Sequence, residues 1–72
     1  MKEQTKLTEI ESSIIEEIIY TNDASLELQF KGDVRYRYAE VPIEEFFGLR
    51  ESESKGKYFI QNIKDKFDTI KL

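Results

Sequence analysis

The feature that most constrains this chain is a pair of short segments in which apolar and polar residues alternate. Residues 26–30 form the first segment, residues 34–38 form the second, and the glycine-containing loop 31–33 joins them. Alternation with a period of two is typical of a strand with one buried face. A three-residue loop brings two such strands together as an antiparallel pair. The sequence therefore predicts a β-hairpin at the centre of the domain.

The side chains also predict the register of this hairpin. Its apolar residues pair across the two strands on one face: Phe30 with Val34, Leu28 with Tyr36, and Leu26 with Tyr38. On the other face Arg35 lies opposite Gln29, and Arg37 lies opposite Glu27. Apolar and opposite-charge cross-strand pairs each contribute roughly 0.2–1 kcal/mol. A slip of one residue would turn both tyrosines towards water, so the register is well specified.

The composition excludes several chemistries. The chain has 72 residues, which suit one domain, and it contains neither cysteine nor histidine. Disulfides, thiolate or imidazole metal sites, and Cys–His or Ser–His catalytic pairs are therefore excluded. The adjacent carboxylates at 16–17 and 44–45 diverge on a strand or a helix and form no acid–base dyad. We expect a non-catalytic protein without a metal or a cofactor.

The net charge of −4 is unevenly distributed. Residues 1–54 hold six basic and thirteen acidic residues, whereas residues 55–72 hold five basic and two acidic ones. An acidic chain disfavours non-specific duplex binding, but a local basic surface suits a short RNA or a nucleotide. No apolar stretch resembles a signal peptide or a membrane span. We therefore expect a cytoplasmic protein with no membrane partner.

The segment before the hairpin is compatible with two structures. Ile10, Ile14 and Ile18 recur at helical spacing, which favours an amphipathic helix. The four isoleucines of residues 14–19 are β-branched and suit a buried strand equally well. Residues 1–9 are mostly polar and predict a flexible N-terminal tail or a short helix.

Two helices are predicted after the hairpin. Pro42 suits the first position of one helix, and Gly48 keeps that helix short. Ser54 is a candidate N-cap for the other helix, in which large apolar residues recur every four positions. The predicted core consists of hairpin and helix residues: Leu26, Leu28, Phe30, Val34, Tyr36, Tyr38, Phe46, Phe59, Ile63 and Phe67.

The start of the second helix is the strongest candidate binding site. Lys55, Gly56 and Lys57 follow the predicted cap, where free N–H groups, the positive end of the helix dipole and two lysines converge on an anion. Tyr58 and Asn62 are nearby candidates for specificity, although Asn62 also suits a structural tie. The alternative for the whole segment is ordinary helix capping.

The hairpin offers two further candidates. Tyr36 and Tyr38 could stack on bases, but their pairing with Leu28 and Leu26 favours a core role. Arg35 and Arg37 lie on the opposite face and could hold a phosphate or a carboxylate. The alternative is a solvated arginine pair balanced by Glu27.

Four short motifs resemble the KTSC domain family, which is named for its occurrence at the C-terminus of some lysyl-tRNA synthetases and also occurs as single domains in bacteria and phages. In chain order they are Ser12-Ser13-Ile14, Tyr36-Arg37-Tyr38, Val41-Pro42, and Ser54-Lys55-Gly56-Lys57-Tyr58-Phe59 leading to Asn62-Ile63-Lys64. The resemblance covers roughly residues 10–67. Two positions depart from the family pattern: Ile19, where a glycine often precedes the tyrosine, and Ile60, where an asparagine is common.

The resemblance implies the order strand, strand, strand, helix, helix, so residues 14–20 become the first strand. The expected fold is an α+β domain over residues 10–72, with a three-stranded antiparallel β-sheet followed by two α-helices packed on one face. The asparagine that Ile60 replaces serves either a site or the fold. The synthetase fusion associates the family with RNA without giving a mechanism.

Two functions follow as hypotheses. The first is a small module that binds RNA or a nucleotide or phosphate ligand through Lys55, Gly56 and Lys57, with Arg35, Arg37 and Lys64 adding charge. The second is a protein-interaction module or small phage-type effector, which would act through the acidic N-terminal half or an exposed sheet edge. This second hypothesis includes a homodimer that sequesters a small anionic signal molecule.

Overall fold

Five antiparallel strands form one sheet, and two helices pack on one of its faces. The computed structural model describes residues 3–72. The elements are β1 (Gln4–Leu7), β2 (Ile15–Thr21), β3 (Ser25–Phe30), β4 (Val34–Tyr38), α1 (Ile43–Glu51), α2 (Lys55–Asn62) and β5 (Thr69–Lys71). Strand order follows chain order, so the sheet is a meander with β1 and β5 at its edges.

The β3–β4 hairpin has the register that the alternation predicts. Phe30 pairs with Val34 next to the turn, and Leu26 pairs with Tyr38 at the far end. The turn contains two residues with positive φ, Gly32 at 90° and Asp33 at 61°. Glycine and aspartate tolerate this left-handed conformation, which explains why the chain reverses here.

The expectation of three strands is wrong, because β1 and β5 extend the sheet on both sides. β1 lies in the segment for which the sequence predicts a tail or a short helix, although residues 1–2 of that segment lie outside the described part. Both additional strands are short, and nearly all their side chains are exposed. A strand without a buried face has no hydrophobic alternation, so the sequence gives no signal for it.

The ambiguous segment forms strand β2, which contains a bulge near its start. The pairing of β2 with β3 shifts between Ile15 and Glu17. An extra residue at this bulge places Ile15, Ile18 and Tyr20 on the same face, and all three are buried. Ile10 and Ile14, whose spacing with Ile18 favours a helix, precede this strand.

The second helix ends earlier than its apolar spacing suggests. α2 stops at Asn62, and the chain turns at Asp65, whose φ is 62°. Ile63 and Phe67 therefore follow the helix rather than belong to it, yet both still pack on the core. The N-cap at Ser54 is confirmed, since its Oγ accepts a hydrogen bond from the Lys57 N–H at 3.3 Å.

The core lies between the helices and the sheet. Six of the predicted core residues are buried, namely Leu26, Leu28, Tyr38, Phe46, Phe59 and Ile63. The other four, Phe30, Val34, Tyr36 and Phe67, are only half-buried. Tyr20 is a further core residue: its ring stacks on Phe46 with centroids 5.0 Å apart, and its hydroxyl donates to the Val41 carbonyl at 2.7 Å. Within residues 3–72, neither helix is long and apolar enough to cross a membrane.

Candidate functional site

A groove runs along α2, on the side that faces the β3–β4 hairpin. It consists of two adjoining hollows of about 500 and 420 Å³, which share Ile14 and Ile60. We call the larger one the aromatic hollow; its other lining residues are Phe30, Val34, Tyr36, Tyr38, Phe59, Lys64, Asp65 and Thr69. We call the smaller one the serine hollow; its other lining residues are Glu11, Ser12, Ser13, Glu53, Ser54, Lys55, Gly56, Lys57 and Gln61.

The aromatic hollow exists because α2 covers only part of the hairpin face. Phe59 on α2 is buried and reaches Phe30, with ring centroids 5.1 Å apart. Phe30 in turn meets Tyr36 edge to face at 6.0 Å. The outer rings of this chain, those of Phe30 and Tyr36, are half-buried, so part of each remains open to the hollow. The result is an aromatic surface held in place by the core beneath it.

The two hairpin tyrosines occupy different environments. Tyr38 is 4% exposed, packs against Phe59 at 5.8 Å and belongs to the core, as its pairing predicts. Burial, followed by the nearby Tyr36 and Asp65, raises the pKa of Tyr38 to about 12. Tyr36 is half-buried and lines the hollow, so it is the one available for stacking.

The serine hollow lies where the start of α2 approaches the start of β2. Ser12 Oγ accepts hydrogen bonds from the N–H groups of Ile14 at 3.2 Å and Ile15 at 3.1 Å. A Cβ on Gly56 would lie 3.0 Å from two carbon atoms of Ile14, which is tighter than an ordinary contact. Glycine at 56 therefore allows α2 to lie directly against the Ser12–Ile14 segment.

The lysines of the candidate anion site do not all converge. Lys55 Nζ donates to the carbonyls of Arg50 at 3.0 Å and Ser52 at 3.3 Å, so it caps the C-terminal end of α1. The side chains of Lys57 and Lys64 are exposed and make no hydrogen bond or ion pair within residues 3–72. Lys57 lies at the serine hollow and Lys64 at the aromatic hollow. Each end of the groove therefore has one available cation.

The two proposed specificity residues serve the helices. Tyr58 lies against Gly48 of α1 and donates to Glu45 Oε1 at 3.4 Å. Burial, reinforced by the charge of Glu45, raises the pKa of Tyr58. Asn62 Nδ2 donates to the Tyr58 carbonyl of its own helix at 3.2 Å. Neither residue lines either hollow.

The two arginines lie on the opposite face of the sheet, where acidic residues pair with them. Arg35 contacts Glu27 at 2.9 Å and Glu17 at 3.1 Å, and it also donates to Gln29. Arg37 contacts the same Glu27 at 3.1 Å. Burial alone would raise the pKa of Glu27, but hydrogen bonds from both arginines outweigh it and lower that pKa. The arginines therefore lie away from the groove, and ion pairs with Glu17 and Glu27 balance their charge.

Several groove residues were not among the sequence candidates. Ser12, Ser13 and Ile14 appear in the family resemblance, but nothing in their pattern connects them with α2. Ile60 is 57% exposed and lines both hollows. Ile60 can be recognised as a groove residue only once the packing of α2 on the β3–β4 hairpin is known. Among residues 3–72, no group of histidine, cysteine, aspartate or glutamate side chains is arranged to hold a metal ion.

The fold and the groove define a class: a small two-layer α+β domain with a concave site between one helix and a hairpin. The KTSC domain family matches residues 11–67, which are most of the chain. The crystal structure of a KTSC domain protein from Yersinia pestis superposes with a TM-score of 0.89 and 31% sequence identity, covering 97% of this chain and 99% of that one. No curated protein matches the sequence significantly. The chain belongs to the KTSC domain family.

Residues from three of the four motifs that resemble the family meet in the groove. Ser12-Ser13-Ile14 and Ser54-Lys55-Gly56-Lys57 line the serine hollow, and Tyr36 and Tyr38 line the aromatic one. These segments are far apart in the sequence. Their meeting at one concave surface makes the groove the candidate functional site of the chain.

Proposed function

We propose that the chain is a non-catalytic module that binds a nucleotide, either free or within a short single-stranded RNA, in the groove along α2. The observation that carries the proposal is the adjoining of two unlike hollows at Ile14 and Ile60. One hollow offers aromatic rings to a base, and the other offers hydroxyls, a helix start and a cation to a phosphate.

The dimensions of the groove suit a mononucleotide. Ligand sites in proteins commonly measure about 300–1,000 Å³, and each hollow falls within that range. Gly56 and Ile60 are four residues apart on α2, which corresponds to about 6 Å along the helix axis. A ligand that spans a nucleoside and its phosphate therefore reaches from one hollow into the other.

The phosphate end is suited to a single phosphate. Ser54 already caps the N–H of Lys57, but the N–H groups of Lys55 and Gly56 have no partner within α2, and the helix dipole favours an anion there. Lys57 is the available cation at this end, since Lys55 caps α1. Glu11 and Glu53 also line the serine hollow and oppose a larger negative charge. A monophosphate or one RNA linkage matches this balance better than a triphosphate does.

A pair of lysine variants tests the proposal. Lys57→Ala removes the cation of the serine hollow, whereas Lys66→Ala removes an exposed lysine that lines neither hollow. We expect Lys57→Ala to weaken binding of a short single-stranded RNA or nucleoside monophosphate about tenfold, with no loss of thermal stability. Wild-type binding should also weaken as salt increases. The Lys66→Ala variant should bind like the wild type, and an equal effect of both substitutions would contradict the proposal.

A second candidate function is protein interaction, in a cytoplasmic or phage-derived setting. Ile43 and Phe47 lie one turn apart on α1 and remain 45% and 42% exposed. The edge strand β5 also presents Ile70, which is 59% exposed. Exposed apolar side chains on a helix and on a free edge suit a protein partner or a second copy of the chain. Affinity capture that yields a stoichiometric protein partner without nucleic acid would favour this function over the first.

A further inference from the structure

The outer end of the aromatic hollow carries polar groups that an aromatic surface alone does not need. Lys64, Asp65 and Thr69 line this end, beside Tyr36 and Tyr38. The Asp65 carboxylate makes no hydrogen bond or ion pair within residues 3–72, although a lysine precedes it and another follows it in the chain. Its charge reaches the Tyr38 hydroxyl, where it contributes to the raised pKa after burial and Tyr36. An acceptor group is therefore available at the edge of the hollow.

The backbone fixes the place of residue 65 beside the hollow. Asp65 has a φ of 62°, in the left-handed region that aspartate and asparagine tolerate better than most residues. The residues on either side are held by hydrogen bonds, from Lys64 N–H to the Phe59 carbonyl at 2.8 Å and from Lys66 N–H to the Ile63 carbonyl at 3.1 Å. The turn therefore keeps Asp65 at the rim rather than leaving it on a free loop.

A carboxylate at the rim favours one of the four RNA bases. An ionised carboxylate only accepts hydrogen bonds, and its two oxygens can accept two parallel ones. Guanine presents two adjacent donors on its Watson–Crick edge, N1–H and the exocyclic amine. Adenine, cytosine and uracil present donors and acceptors side by side, so each would place an acceptor against a carboxylate oxygen. Proteins read single-stranded bases through this edge while stacking on their faces.

We propose that the aromatic hollow selects guanine, with the base lying against Tyr36 and its donor edge facing Asp65. This inference rests on the proposed nucleotide-binding function and adds the identity of the base. Asp65 is then a specificity residue, whereas Lys57 at the other end of the groove acts on the phosphate whatever the base.

Four nucleoside monophosphates and one conservative variant test this inference. Calorimetric titration of the wild type with GMP, AMP, CMP and UMP should show GMP binding at least tenfold more tightly than the others. Asp65→Asn keeps the side-chain size and tolerates the left-handed φ, but it replaces one acceptor oxygen with a donor. We expect it to lose most of the preference for GMP while it retains affinity for AMP. Asp68→Asn, at an exposed aspartate that does not line the groove, should keep the preference.

The outcomes of these titrations distinguish guanine selection from nucleotide binding as such. Similar affinities of the wild type for all four nucleotides would overturn guanine selection and leave the groove as a nucleotide site. An unchanged GMP preference in Asp65→Asn would also overturn the role of Asp65. If none of the four nucleotides binds, even at millimolar concentration, both the base selection and the nucleotide-binding function are wrong. Guanosine lacks the phosphate, so it should still bind more tightly than the other nucleosides. Lys57→Ala should not change its affinity.

Discussion

At the scale of single residues, Ile60 lies in the groove at a position where the resemblance to the family leads us to expect an asparagine. The sequence leaves open whether such an asparagine would serve a site or the fold. Here the isoleucine is 57% exposed and touches both hollows, so the position belongs to the surface of the groove. Isoleucine in place of asparagine makes the middle of the groove apolar, and its side chain is not part of the core.

Replacement of Ile60 with asparagine separates these two roles. Because the side chain is exposed, we expect the free energy of unfolding to change by less than about 0.5 kcal/mol. Loss of the apolar contact should weaken GMP binding about fivefold, since burial of part of this side chain contributes about 1 kcal/mol. Urea unfolding and calorimetric titration measure the two effects. Ile63→Asn, at a fully buried position, should instead prevent stable folding, and a large stability loss in Ile60→Asn would contradict our assignment.

Glu27 is a second residue whose role can be measured, on the face opposite the groove. Its pKa is lowered in the folded protein from a usual value of 4.5, because Arg35 and Arg37 bond to its ionised form against the cost of burial. Its contribution to stability is therefore complete above pH 4.5 and is lost as the pH falls through the lower folded-state pKa. This carboxylate stabilises the sheet at neutral pH and ceases to do so in acid.

The variant Glu27→Gln tests the direction of this effect. At pH 7 we expect the variant to be less stable than the wild type in urea unfolding. The gap should narrow steadily as the pH falls below 4.5, since the wild type loses the contribution that the variant lacks. Glu9→Gln, at an exposed glutamate, is the matched control and should stay close to the wild type at neutral pH. If the difference in stability between the wild type and Glu27→Gln widens in acid, the lowered pKa of Glu27 is contradicted.

At the scale of elements, the contact between α1 and α2 depends on a glycine. Gly48 lowers the helix propensity of α1, and the sequence predicts only that it keeps the helix short. A Cβ at this position would lie 2.0 Å from the Tyr58 hydroxyl oxygen and 2.5 Å from the ring carbon that bears it. The glycine therefore provides the space into which Tyr58 of α2 packs.

Because of this contact, we expect Gly48→Ala to lower the stability of the protein, although alanine is the better helix former. Alanine favours a helix over glycine by about 1 kcal/mol, yet we expect a net loss of about 1–3 kcal/mol because Tyr58 must move. Thermal or urea unfolding measures the change. In a Tyr58→Leu background, which removes the clashing atoms, the same substitution should cost far less. A stabilising Gly48→Ala in the wild type would contradict this packing.

The elements also show which parts of the fold the sequence could predict. The β3–β4 register was predictable because one strand face is buried and the other is charged. β1 and β5 were not, because their residues pair through the backbone and bury almost no side chains. The bulge between Ile15 and Glu17 hid the period of β2, and the family resemblance resolved that segment where periodicity failed.

At the scale of the whole molecule, the candidate site was predictable in part. Local charge in the sequence points to the start of α2 and to Lys64, and both lie along the groove. Local charge points equally to Arg35 and Arg37, but these two arginines form ion pairs with Glu17 and Glu27 of neighbouring strands. Ser12, Ile14 and Ile60 join the groove through tertiary packing alone. Contacts with residues that are distant in sequence therefore decide which predicted residues leave the candidate site and which other residues join it.

We expect the two adjoining hollows to act as one nucleotide site. The most direct test is a titration of the isotope-labelled protein with GMP, followed by amide NMR shifts. We expect the amide signals of Tyr36, at the aromatic hollow, and Gly56, at the serine hollow, to shift together with one affinity. Those of Glu17 and Ile19 on the opposite face should stay unchanged. Shifts confined to the opposite face, or none near residues 55–64 at millimolar GMP, would contradict it.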